Sequence, residues 1–365
     1  LKSNNYNKKM MKTTARITLL TVMIFYFILF AFNCKAQDIH FSQFTMTPLQ
    51  LDPSQAGKFG GDHRAIINYR DQWSSVTNNP FRTYGASFDM PINKKDNFFG
   101  LGVSAYSDKA GEASFGVTVF NLTVAYHIKL DNKSYLSAGV KLGGVQHSLN
   151  ENKLRFDSQF DGSGHNNNLA SGENFSNTSF LKPDFSVGVS YSFGDNNSSQ
   201  VINNGGFGGK KVNMGAAVHH VASPNFYFLD EGTDKLNFRY MLHTNTSFGV
   251  SGTNMAIQPS GIISYQQKAT DVVLGTYFRY NLKEDSKYTK FSNGAAISLG
   301  VHYRFGDAFI PSILIETGSF AFGVSYDLNL SGLSASSNGQ GGYEISIRYL
   351  SPNPFGRRKS RARFF

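Results

Sequence analysis

Apolar and polar residues alternate along this chain in blocks of roughly ten. In residues 320–330, Phe320, Phe322, Val324, Tyr326, Leu328 and Leu330 hold one parity, and Ala321, Gly323, Ser325, Asp327 and Asn329 hold the other. Neighbouring side chains on a strand point to opposite faces, so this is the pattern of a strand with one apolar face. The same alternation fills residues 185–194, 297–306 and 343–349. Segments of this kind begin near residues 63, 82, 99, 114, 134, 184, 212, 237, 254, 271, 295, 309, 319 and 341, which predicts about fourteen strands. Phe115, Val117 and Val119 share a parity that Phe120, Leu122 and Val124 then exchange, and this predicts a bulge. Pro259 and Pro311 are expected at strand ends or bulges, because proline cannot donate to a ladder. The longest connection, residues 150–182, is rich in Asn, Ser and Gly and is expected to be mobile.

The polar parity separates two all-β architectures. A soluble sandwich hides its apolar face in a core and shows long charged side chains to water. Here the polar parity is Gly, Ser, Asn and isolated charges, which suits the interior of a transmembrane antiparallel β-barrel whose apolar face meets lipid. An even strand number agrees with that reading. Aromatics near strand ends, among them Phe81, Phe99, Tyr135, Phe193, Phe305, Phe320 and Tyr349, are expected in interfacial girdles. Arginine at Val324 or Val189 should therefore be far more damaging than arginine at Ser325 or Ser190.

Composition supports the β reading: charged residues make up 16%, against about 25% in a typical soluble domain, and aromatics 14%. The formal net charge of +10 is confined to the ends. Residues 1–36 carry six basic side chains and no acid, and residues 351–365 carry five and no acid. The body between them has 24 basic against 25 acidic side chains, so it lacks the broad basic face that nucleic acid requires. At the N-terminus, Lys12 and Arg16 precede an apolar run over residues 17–32, and Cys34-Lys35-Ala36 has small residues where a signal peptidase cuts. Residues 1–36 are read as an over-called start followed by a cleaved signal peptide, with an uncleaved anchor as the alternative. The mature chain, from Gln37, then contains no cysteine and no disulfide. Residues 37–62 are expected to form a periplasmic or plugging segment, 63–350 the barrel, and 351–365 a basic tail.

Catalytic chemistry is not apparent. The run Gly205-Gly206-Phe207-Gly208-Gly209-Lys210-Lys211 lacks the spacing and the terminal Ser/Thr of a phosphate loop. His219 and His220 are strand neighbours that point apart, and no metal-ligand spacing accompanies them. No catalytic residue, cofactor site or metal site is assigned. Asp327, Glu344, Arg304 and Arg348 fall on the inward parity and are expected to face the lumen.

Two stretches resemble a known family. Residues 37–44 (QDIHFSQF), with Pro48, Leu49, Asp52-Pro53, Ala56-Gly57 and then Asn68-Tyr69-Arg70-Asp71-Gln72-Trp73, resemble the opening of the PorP/SprF outer-membrane proteins of Bacteroidota. Residues 323–331 and 341–346 resemble the family's last hairpin, whereas the tail beyond Leu350 departs from it. The resemblance implies a component of the type IX secretion and gliding machinery, without catalytic residues. It implies a barrel that retains or helps to secrete a surface protein or adhesin through that protein's C-terminal sorting domain. Other type IX secretion components and outer-membrane lipid would be its further partners. A diffusion porin or hydrophobic-solute transporter, and a barrel enzyme, are the competing classes. Candidate partner contacts are Phe41 and Phe44 in the N-terminal segment and Trp73, Phe226 and Tyr227 in connections between strands. Residues 224–228 (PNFYF) concentrate aromatics where no core requires them.

Overall fold

The structure, a computed structural model, describes residues 38–92, 96–166, 168–173, 175, 178–194, 209–228, 234–283, 294–332 and 334–351. The signal-peptide reading of residues 1–36, the glycine run at 205–208 and the basic tail lie outside the described residues. Fourteen antiparallel strands close into a barrel. They are β1 (Arg64–Gln72), β2 (Phe81–Ile92), β3 (Phe98–Ala110), β4 (Phe115–Lys129), β5 (Ser134–Ser148), β6 (Ser179–Gly194) and β7 (Lys210–His219). The second half comprises β8 (Arg239–Gly249), β9 (Met255–Gln266), β10 (Ala269–Lys283), β11 (Ala295–Arg304), β12 (Ala308–Thr317), β13 (Phe320–Asn329) and β14 (Gln340–Leu350). Closure joins β1 to β14 over nine register pairs, from Arg64 opposite Leu350 to Gln72 opposite Gly342. Because lipid offers backbone groups no partner, closure is what allows strands to span it. Among the described residues, no helix is long and apolar enough to cross a membrane.

The alternation read from the sequence is the burial pattern of the wall. Val324, Phe322 and Val189 are exposed on the outside, whereas Ser325, Gly323 and Ser190 point inward and are buried. The connections fall into two sets. Those after β1, β5, β7 and β13, including the long 149–178 and 220–238, lie at one rim, here the loop end. Those after β2, β4, β8 and β12 are short and join strand ends at the other rim, the turn end, where the longer stretches 195–209 and 284–294 after β6 and β10 also begin and end.

Three expectations are corrected. β4 has no bulge, and its register with β3 and β5 is unbroken. Val119 is instead an apolar residue facing inward, 2% exposed, which is tolerable because the lumen is filled. Pro259 and Pro311 lie within β9 and β12, and each sits where pairing lapses on one side, towards β8 and β13 respectively. Tyr135 is no girdle residue: it is buried and packs edge-on against Phe98 at 6.0 Å. In addition, β6 starts at Ser179, so the connection before it is shorter than expected.

Arginine at Val324 or Val189 should cost about 2–4 kcal/mol near the bilayer midplane, measured as folding free energy in liposomes. The mild outcome expected at Ser190 is withdrawn. Its hydroxyl accepts from Ser54 Oγ at 2.6 Å and Lys58 Nζ at 2.9 Å, so an arginine there would meet a buried ammonium instead of lumen water.

Candidate functional site

The feature with the most chemistry is the segment before β1. Residues 38–61 run lengthwise through the lumen, from Asp38 at the loop end to Gly61 at the turn end, and bond to inward side chains nearly throughout. At the loop end, Asp38 meets His220 and accepts from Gln266 Nε2 at 3.1 Å. At the turn end, the Asp62 amide donates to the Ser351 carbonyl at 3.2 Å.

The motif at residues 40–44 is explained by its partners. Phe41 and Phe44 are 4% and 3% exposed. Phe44 sits in an apolar cluster with Met241, Ile262, Val273 and Ile310, and meets the His302 ring edge-on at 5.6 Å. Between the two rings, the Gln43 amide donates to Glu344 Oε2 at 2.8 Å, and the Ser42 amide donates to Oε1 of the same carboxylate. Ser42 Oγ donates to Asp327 at 2.7 Å and lies 2.6 Å from Arg304 Nη2, and Gln43 Oε1 accepts from Ser346 Oγ at 2.7 Å. Arg70 links this group: its guanidinium lies 3.0 Å from Asp327, 2.9 Å from Glu344, and donates to the His40 carbonyl. Arg304 reaches Asp327 at 3.0 Å and Asp307 at 3.1 Å.

Further down, the chain turns over a floor of glycines. Asp52 is fully buried and caps the turn Pro53–Gln55, accepting from the Ser54 amide at 2.7 Å and from its hydroxyl at 2.8 Å. The same carboxylate lies 2.8 Å from His243 Nε2. This turn presses on the wall so closely that only glycine fits opposite it. A Cβ on Gly188 would lie 2.1 Å from Asp52 Oδ1, one on Gly139 2.5 Å from the Pro53 carbonyl carbon, and one on Gly100 1.9 Å from the Ala56 oxygen. Near the turn end, the Gly57 amide donates to Asp89 at 2.8 Å, and Asp89 pairs with Arg64 at 2.7 Å.

The loop-end latch is titratable. His220 stands between Asp38 and Asp184, with its Nδ1 3.0 Å from the latter, and Lys141, His219 and Arg239 nearby. Burial pulls the imidazole down, but the facing Asp38 carboxylate and the hydrogen bonds to Asp184 and Asp38 prevail and hold it at about 9. Burial works against the Asp38 carboxylate too, and the His220 charge outweighs it, so its pKa is lowered. The imidazole's share of the stability is complete below about 6.5 and lost as pH rises through about 9; the carboxylate's share is present above about 4. The melting temperature of the wild type should therefore fall from pH 6.5 to 9.5 by more than that of His220→Gln, and the difference between the two curves reads the latch.

The sequence-derived residues are placed as follows. Asp327, Glu344 and Arg304 are buried on the inward side and belong to one cluster. Arg348 also faces inward, but lies towards the turn end, 2.8 Å from Glu316. Trp73, Phe226 and Tyr227 lie at the loop end and are not brought together with Phe41 and Phe44. Trp73 has a positive φ of 62°, donates its amide to the Gly341 carbonyl at 2.8 Å and meets Phe81 edge-on at 4.8 Å. Phe226 packs on His147 at 4.1 Å and on Phe180 at 5.9 Å, whereas Tyr227 is 39% exposed. Alternation and motif spacing do not single out Arg70, Asp52, His243 or the inward glycines as site residues. Arg70 and Asp52 stand inside the family-like opening, so a signal existed for them. Among the described residues, no group of His, Cys, Asp and Glu is arranged to hold a metal ion.

No curated protein matches the chain. Among solved structures, it is similar to BamA from Haemophilus ducreyi lacking POTRA domains 1–3, at 11% identity and TM-score 0.38, covering 80% of this chain and 71% of that one. It is also similar to a TodX monoaromatic hydrocarbon channel mutant, at 9% identity and TM-score 0.45, covering 82% and 93%. The translocator domain of the autotransporter NalP from Neisseria meningitidis is similar at 10% identity and TM-score 0.35, covering 80% and 88%. The family model for the type IX secretion system membrane protein PorP/SprF matches residues 33–349. The closed barrel with its apolar exterior and the family-specific opening that fills its lumen agree with that match: the chain is an outer-membrane β-barrel and belongs to the PorP/SprF family.

Proposed function

We propose that this barrel is a plugged, non-enzymatic partner of the type IX secretion machinery, which retains or helps to secrete a surface protein through that protein's C-terminal sorting domain. The observation that carries the reading is the occupied lumen. A segment bonded to the wall along most of its course leaves little room for diffusion of solutes, so recognition falls to the loop end. The two longest connections, 149–178 and 220–238, are at that end, which suits the outward face, since barrels of this type keep their longer loops outside. Trp73 and Tyr227 are the favoured contacts. A bulky residue at positive φ is a strained feature that a fold retains where something needs it, and Tyr227 is exposed. Phe226 contributes by holding its loop against His147 and Phe180. Phe41 and Phe44, being buried, act in this reading by seating the segment.

Two measurements test it. Full-length protein in planar bilayers should show little steady conductance. Co-purification from the outer membrane should bring along a large protein with a C-terminal sorting domain, and Trp73→Ala with Tyr227→Ala should weaken that retention without lowering barrel abundance. Large, stable open-pore currents with unaffected retention would reject the proposal in favour of a diffusion porin or hydrophobic-solute transporter.

A further inference from the structure

The barrel wall has a step at the loop end. Several neighbouring strands finish level there, with Gln72 opposite Phe81, Ala110 opposite Phe115 and Ser148 opposite Ser179. β7 stops short. It pairs with β6 only over residues 187–194, so residues 179–186 have β5 on one side and no strand on the other. At roughly 3.3 Å per residue, β6 runs on for about 25 Å beyond its last pair with β7. The N–H and C=O of one strand residue point to one side, and those of the next point to the other. The Leu149 amide donates to the Thr178 carbonyl on the β5 side, and the Val221 amide donates to the Phe185 carbonyl on the other. The backbone groups of Ser179, Leu181 and Pro183 therefore face the open flank, and among the described residues they have no backbone partner there. Pro183 has no N–H to offer, which an edge strand tolerates. The flank thus presents the amides of Ser179 and Leu181 and the carbonyls of Ser179, Leu181 and Pro183. In its described part, connection 220–238 does not cover them. The Phe226 and Leu236 amides donate within that connection, and Phe226 and Phe228 pack on the lumen-side ring of Phe180.

We propose that this open flank of β6 is a strand-addition site for an extended segment of the surface protein that the barrel retains, and the assignment of that occupant rests on the retention role given above. Closing a barrel removes strand edges, and an edge that survives closure is a template for pairing with another chain. In strand addition, main-chain hydrogen bonds supply affinity and the side chains beside the edge supply selectivity. On the outer face, Leu181 and Phe185 are exposed apolar residues. On the lumen side, Lys182 lies over the Phe180 ring at 6.0 Å and has no ion pair among the described residues. The segment that fits is apolar on one face and carries an acid opposite Lys182 on the other. A second copy of the barrel does not fit. The flank points along the wall, over the ends of β7 and β8, and a barrel standing beside this one in the membrane lies off that line.

The test uses the full-length barrel purified from the outer membrane, with the large sorting-domain protein that accompanies it. Leu181→Pro deletes an edge amide and leaves the bonds to β5 in place, whereas Leu181→Ala keeps the amide. Proline should cut retention of the surface protein about fivefold or more, the scale of one lost backbone hydrogen bond. Alanine should cut it far less, at equal barrel abundance. Hydrogen exchange examines the same amides without a mutation: those of Ser179 and Leu181 should exchange fast in the barrel alone and slowly in the assembly. If proline lowers barrel abundance, the exchange measurement decides. Full retention by the proline variant, or fast exchange of both amides in the assembly, overturns strand addition and leaves the retention role standing. Slow exchange already in the barrel alone overturns it too, since connection 220–238 or a second copy then covers the flank. If no such surface protein accompanies the wild type, the retention role falls and the strand addition with it.

Discussion

Gly188→Leu should unseat the lumen segment and convert a silent barrel into a conducting one. A Cβ at this position already falls 2.1 Å from Asp52 Oδ1 and 2.9 Å from Pro53 Cδ, and a leucine adds three more carbons behind it. The wall cannot retreat, because β6 is paired through Gly188 with β5 on one side and β7 on the other. The turn Pro53–Gln55 must therefore lift, and the buried contact of Asp52 with His243 breaks with it. Losing a buried hydrogen bond to a carboxylate costs about 1.5–3 kcal/mol. At 1.4 kcal/mol per decade, the seated form then loses a factor of about ten to about a hundred against the unseated one from this bond alone, before the clash itself is counted. Barrel width grows with strand number, so fourteen strands without their filling enclose a wider space than the side-chain-packed eight-stranded barrels. Long-lived open-channel currents from Gly188→Leu, and none from the outward-facing Val187→Leu, are the expected result. A barrel that stays silent, with residues 52–57 still protected from proteolysis, would show that the glycine floor does not hold the segment.

Arg70→Ala should destabilise the loop-end half of the segment by about 3–5 kcal/mol, because it leaves Asp327 and Glu344 buried and close together with one guanidinium fewer. Arg304 still faces Asp327, so Glu344 bears most of the loss, and with it the anchoring of the Ser42 and Gln43 amides. Hydrogen exchange should locate the damage: residues 41–44 lose protection, while residues 54–57, held by Ser190 and Asp89, keep theirs. Uniform loss along the segment would mean that it leaves as one unit. Arg70→Lys should recover little, since one ammonium cannot reproduce a fork that spans two carboxylates.

The strands were legible because a barrel wall writes its two environments into every second residue. All fourteen starting points lie within a few residues of the observed ones, and β6 deviates most, since Ser179 to Lys182 extend it into the stretch that reads as the end of the preceding connection. What failed depends on the contents of the lumen. Val119 reads as a parity error only if the inside is water, and it is an ordinary buried residue once the inside is protein. Gly139 and Gly188 have the same ambiguity: on the inward parity they pass for small lumen residues, and nothing local reveals that the turn at residues 52–54 lies against them. The family-like opening was distinctive in sequence, but its reason is nonlocal. Ser42 and Gln43 are spelled out by Glu344 and Ser346 at the far end of the chain.

That separation constrains the order of assembly. The partners of residues 42–46 on β14, namely Glu344, Ser346 and Arg348, lie some three hundred residues away, and β14 is also the strand that must find β1 to close the wall. The segment lies lengthwise inside, so a wall that closed first would oblige it to thread a finished cylinder. Closing around a segment already laid against β3, β5 and β6 avoids that passage. The glycine floor lies on those early strands, whereas the ion cluster that fastens the front of the segment is completed by β11, β13 and β14. Contacts of such long sequence separation form late and slowly. Sealing the β1–β14 seam together with its contents is the order this geometry favours, and a segment absent at that moment leaves Glu344 with Arg70 of β1 but without the Ser42 and Gln43 amides.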